Sequence, residues 1–115
     1  MPILIVTTNH NADEATVDKF TKQAVATMSA ILKKPEQIFM VGVNKGARMV
    51  FECNGDPTLY AEFVGQGDVM DGDVKKRLIT SLSAVVEGNF GIPNTRTFIK
   101  VYDTVWGKKI MNSKL

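Results

Sequence analysis

A chain of 115 residues, 44% apolar and 23% charged, has the makeup of one globular domain, residues 1–115, able to bury roughly two-thirds of its chain surface. A net charge of +2 without a Lys/Arg stripe argues against nucleic acid or an anionic membrane as partner. The single cysteine, Cys53, excludes an internal disulfide and a cysteine-built metal site, and the single histidine, His10, excludes paired-histidine metal chemistry, so no metal or other cofactor is expected.

The run "PILIVTT" at the start predicts a strand, which leads through polar "NHNAD" into a helix. In that helix Val17, Phe20, Ala24, Met28 and Ile31 recur at spacings of three and four. It should stop near Lys33–Lys34, because Pro35 disfavours helical geometry in the residue before it. "IFMVGVN" predicts the second strand, Gly46 a turn, and "RMVFE" a short additional strand. "TLYAEFVG" is the next strong strand. Asp71 or Asp73 is placed to cap a second helix, with Val74, Leu78, Leu82 and Val85 on one face and Gly88 as its stop. "TFIKVYD" gives the last strand.

The order is a loose duplication, βαβ(β)–βαβ: an α+β chain with a four-stranded mixed sheet and two helices on one face. The first strand is apolar on both parities, with Ile3 and Ile5 on one side and Leu4 and Val6 on the other. The fourth predicted strand, "TLYAEFVG", splits its residues likewise, Leu59, Ala61 and Phe63 against Tyr60 and Val64. A sheet apolar on both faces needs cover on both, and two helices cover one. An oligomer that buries the second face is therefore expected; a ferredoxin-like monomer would leave it wet.

The chemistry-bearing candidates each have an ordinary alternative. "VGQGDVMDGD" places Met70 where a dinucleotide fingerprint wants its third glycine, and its aspartates would repel phosphate, so it reads as a turn plus helix cap. Lys34 stands at a helix end, where the helix dipole favours a cation anyway. Phe98 and Lys100 share one strand face, where a lysine ordinarily marks a solvated edge. Pro2 sits at the first position of a strand, which proline tolerates; with Met1 removed, it would be a secondary amine able to act as a base. The first ten residues lack the basic start of a secretory signal, and no apolar run spans a bilayer. The last residues, Ser113-Lys114-Leu115, match a peroxisomal address in a eukaryote; in any other source the chain is expected in the cytoplasm.

Taken together, "MPILIVTTN", "KPEQI", "AEFVGQG" and "FIKVYD", in that order and spanning essentially the whole chain, resemble the macrophage migration inhibitory factor and D-dopachrome tautomerase family. The resemblance implies a homotrimer of βαβ repeats, with pockets between neighbouring subunits in which the N-terminal proline is the acid–base group for keto–enol tautomerisation. By similarity the base is Pro2, the substrate-binding lysine is Lys34, and the backbone-binding position is Val64. The tyrosine and asparagine contributed by the adjacent subunit are replaced by Phe98 and Lys100. That exchange is similar to the plant-type branch of the family, whose members in part end in a peroxisomal tripeptide. The family's Cys-x-x-Cys is absent, since residues 57–60 read Pro-Thr-Leu-Tyr, so thiol oxidoreductase activity is not carried over.

Two functions follow from the resemblance. One is a tautomerase for a small enolisable keto acid or related carboxylate, weakened or specialised by Phe98 and Lys100. The other is a non-enzymatic, cytokine-like binding or signalling protein that keeps the trimer, with a receptor protein as partner.

Overall fold

A computed structural model describes residues 2–66 and 71–104. Strand β1 (Ile3–Thr8) leads to helix α1 (Glu14–Leu32), a 3-10 turn at Glu36–Ile38 and strand β2 (Met40–Asn44). A long connection reaches β3 (Leu59–Gln66), helix α2 (Gly72–Phe90), a second 3-10 turn at Asn94–Arg96 and β4 (Thr97–Thr104). The sheet order is β2-β1-β3-β4. Each βαβ unit pairs its own strands in parallel, β1 with β2 and β3 with β4, and the units join through antiparallel β1 and β3.

The helices form where the residues demand them. The Asp13 carboxylate accepts from the Thr16 N–H at 2.8 Å and starts α1; Asp71 does the same for α2 through Val74 at 2.9 Å. Helix α1 ends at Lys33, which takes a left-handed φ of 57°, ahead of Pro35, as expected. Helix α2 runs past the predicted stop at Gly88 to Phe90. Its buried stripe is Leu78, Leu82, Val86 and Phe90, and the Phe90 ring packs on Phe20 at 4.8 Å, so ending at Gly88 would expose that ring. Gly91, with φ 70°, makes the left-handed cap instead.

Both stripes lie on the same face of the sheet. Leu4 and Val6 from β1, and Leu59, Ala61 and Phe63 from β3, meet Phe20, Ala24, Met28 and Ile31 of α1 and the α2 stripe in one core. No described helix covers the other face, which carries Ile5, Met40, Tyr60, Phe98 and Tyr102, each exposed. The two-sided apolar pattern thus has one side packed and one side bare.

"RMVFE" forms no regular strand within the chain. Phe51 and Asn54 exchange two backbone hydrogen bonds around Glu52 and Cys53, both at positive φ, and make a tight hairpin turn. The connection is held by side chains distant in sequence. Asn9 donates to the carbonyls of Gly55 and Asp56 and accepts from the Thr58 N–H, and Thr8 Oγ1 donates to the Thr58 carbonyl.

Candidate functional site

Alternation along β1 sets the position of Pro2. Leu4, Val6 and Thr8 point to the helices, so Pro2, buried, belongs to the same parity at the strand's leading end. Its carbonyl accepts from the Met40 N–H at 3.1 Å, tying it to edge strand β2. Ile3 pairs with Met40 on one side and Val64 on the other, so half-buried Val64 is at the same end of the sheet as Pro2, one residue along and on the opposite face. Lys34 is half-buried just past the end of α1, on the stretch that returns to Met40; its N–H donates to the Ser29 carbonyl, and the Ser29 hydroxyl donates back to its carbonyl. The structure therefore gathers Pro2 and Val64 at one end of the sheet, with the Lys34 segment running into that end.

Phe98 and Lys100 stand elsewhere. Both are exposed on the bare face, Phe98 opposite Tyr60 and Lys100 opposite Glu62. Tyr60 in turn pairs with Thr7 and Glu62 with Ile5. At about 3.3 Å per residue and about 4.8 Å between strands, Phe98 lies about 19 Å from Pro2 and Lys100 about 14 Å, both across the sheet from it. Within one chain, then, Phe98 and Lys100 do not share a pocket with Pro2.

Around Phe98 and Lys100 the bare face has its own chemistry. Tyr60 Oη donates to Glu62 Oε2 at 2.8 Å, and this bond, followed by loss of solvent and the carboxylate's charge, pushes the phenol up to about 12. The Lys100 ammonium lies 5.2 Å from the centre of the Tyr102 ring. The Phe51 ring meets Phe98 edge-on at 4.7 Å.

Sequence reasoning missed Arg96. Only 9% exposed, it donates to the carbonyls of Pro57 and Asp56 at 3.0 Å and of Phe51 at 3.3 Å, reaches Glu52 Oε1 at 3.3 Å, and stacks 5.1 Å over the Phe51 ring. A charged residue with no periodic signature gave no sign of this; its position just before an apolar strand was the available cue.

An open groove of about 420 Å³ lies between α1 and β2, lined by Thr21, Lys22, Val25, Glu36, Gln37 and Val41, and contains none of the residues singled out from the sequence. Among the described residues, no three His, Cys, Asp or Glu side chains gather to hold a metal ion, and no helix is long and apolar enough to cross a membrane. Residues 113–115 lie outside the described residues.

Known proteins share this architecture. The crystal structure of a macrophage migration inhibitory factor homologue from Prochlorococcus marinus has a TM-score of 0.82 at 24% identity, over 89% of this chain and 88% of its own. The factor from Toxoplasma gondii has a TM-score of 0.81 at 22% identity, over 89% of each chain. A curated relative, a macrophage migration inhibitory factor homolog of Trichuris trichiura, is 27% identical over 103 residues, covering 90% of this chain and 89% of that one. The family model "Macrophage migration inhibitory factor (MIF)" matches residues 1–108, and on that match, with the fold in agreement, the chain belongs to the macrophage migration inhibitory factor family.

Proposed function

We propose that this protein is a keto–enol tautomerase that works as a homotrimer, with Pro2 as its acid–base group in a pocket shared by two subunits. The observation that carries this reading is the placement of Pro2, buried at the head of a central strand and pinned through its carbonyl to Met40. The chemistry requires loss of Met1, because an acylated proline nitrogen is an amide without basicity.

A free α-amino group titrates near about 8, and burial disfavours its ammonium form. The neutral nitrogen removes a proton from the carbon next to a ketone; the C–H electron pair becomes the enol C=C bond, the carbonyl π pair moves to oxygen, and the Pro2 ammonium hands that oxygen the proton it took. Run in reverse, the protonated nitrogen returns its proton to carbon. The Lys34 ammonium pairs with the substrate carboxylate and disfavours a second positive charge on Pro2. Phe98 and Lys100 of a neighbouring copy complete the pocket, which agrees with their distance from Pro2 within one chain and with the bare sheet face that assembly would cover.

The test is phenylpyruvate enol–keto conversion by protein shown by intact mass to lack Met1, compared with Pro2→Gly. A large loss in the variant supports the reading; equal rates end it. A second reading, a binding or signalling protein on the same scaffold, is favoured by Phe98 and Lys100, which supply neither the hydroxyl nor the compact amide of the family site. A large gain from Phe98→Tyr with Lys100→Asn favours that reading, and a wild type that is already fast rules it out. Peroxisomal import through Ser113-Lys114-Leu115 is proposed for a eukaryotic source, to be tested by deleting the tripeptide from a fluorescent fusion.

A further inference from the structure

Resting on the shared-pocket reading, we infer that Phe51 is a positioning residue: it holds the Phe98 ring in place as a wall of the neighbouring subunit's pocket, and Arg96 holds Phe51. Phe98 is 42% exposed near the start of β4, the outer strand of the sheet among the described residues. A ring so exposed has, unaided, several rotamers to choose from. Phe51 restricts that choice with an edge-on contact at 4.7 Å, the geometry aromatic quadrupoles favour.

Phe51 is itself fixed from two directions. The Arg96 guanidinium lies 5.1 Å over its ring, and Arg96 Nη2 donates to its carbonyl. Arg96 cannot drift, because its other donors are held by the carbonyls of Pro57 and Asp56. The same arginine stands two residues before Phe98, and its carbonyl accepts from Thr58 Oγ1. Loop and strand are thus locked to each other at the point where Phe98 leaves the sheet. A preorganised wall lowers the ordering cost of binding without touching the proton transfer at Pro2, so the effect belongs in KM rather than kcat.

The experiment uses the full chain with 4-fluorophenylalanine in place of Phe98, in the wild type, Phe51→Leu and Phe51→Tyr. Leucine keeps apolar volume so that the loop stays folded, and tyrosine keeps the ring. Expected for Phe51→Leu are a fluorine resonance moved toward that of the free amino acid and a KM for phenylpyruvate raised about threefold to tenfold, the worth of one aromatic pair, with kcat retained. Phe51→Tyr should restore both. A resonance that Phe51→Leu leaves in place overturns the proposal, as does a moved resonance with KM unchanged. If the wild type turns over no phenylpyruvate, the tautomerase reading fails, and the resonance alone still decides whether Phe51 holds Phe98.

Discussion

Replacing Arg96 by methionine keeps the buried stem and removes the charge that ties the 45–58 connection to β4. Two of its hydrogen bonds, to Pro57 and Asp56 at 3.0 Å, fall within good geometry, while those to Phe51 and Glu52 at 3.3 Å lie at its weak edge. A hydrogen bond involving a charged group contributes about 1.5–3 kcal/mol. The Glu52 side chain is 67% exposed, so its ion pair adds under about 1 kcal/mol. The carbonyls of Asp56 and Phe51 keep partners in Asn9 and Asn54, which lowers the penalty for leaving them. The net loss should be about 3–4 kcal/mol, a fall in melting temperature of about 12–16 °C at this chain length. Urea melts at fixed protein concentration should show an earlier midpoint with unchanged slope. A loss below about 1 kcal/mol would refute the claim that Arg96 anchors the connection, since no single surface contact is worth more.

Glu62→Gln should bring the Tyr60 titration down from about 12 toward its ordinary 10, followed by ultraviolet absorbance in a Tyr102→Phe background; because the folded phenol's value is raised, the stability it contributes is full below pH 10 and is lost as pH rises through 12. Asp13 behaves with the opposite sign. The Thr16 N–H lowers its pKa below 3.8, so its contribution is present above that value and lost as pH falls through the folded one, and acid melts of Asp13→Asn should converge with the wild type there. Cys53→Gly should stabilise by about 0.5–1 kcal/mol in denaturant melts, because residue 53 sits at φ 59°, where a side chain is strained. Leu82→Ala, which empties the buried centre of the α2 stripe, should cost about 2–5 kcal/mol in the same melts.

Much of the architecture was legible because it rests on local periodicity. The α1 stripe from Phe20 to Ile31 is in the spacing, the alternation of β1 and β3 showed two apolar faces, and Asp71 marks the start of α2. The errors arose where distant residues decide. Gly88 resembled a stop, yet Phe90 two residues later had a ring to bury against Phe20, a contact across 70 positions of sequence. "RMVFE" resembled a strand, but its backbone is governed by Asn9 and Arg96, whose roles no window of neighbouring residues reveals. At the candidate site, the register places Val64 opposite Ile3, one residue along from Pro2, at the same end of the sheet. Phe98 and Lys100 lie far from Pro2 along the strands of one chain, a separation that no local pattern in the sequence displays. The holding of Phe98 by Phe51 could not be seen, since 47 residues separate them.

The bare sheet face also bears on how the molecule is made. A newly completed protomer would present Ile5, Met40, Tyr60, Phe98 and Tyr102 to water together, and such a surface adheres to whatever it meets first. Self-recognition then competes with capture by chaperones and with clumping. If assembly is what covers that face, the yield of usable molecules would climb faster than the rate of synthesis, and a modest fall in expression would remove more than its share.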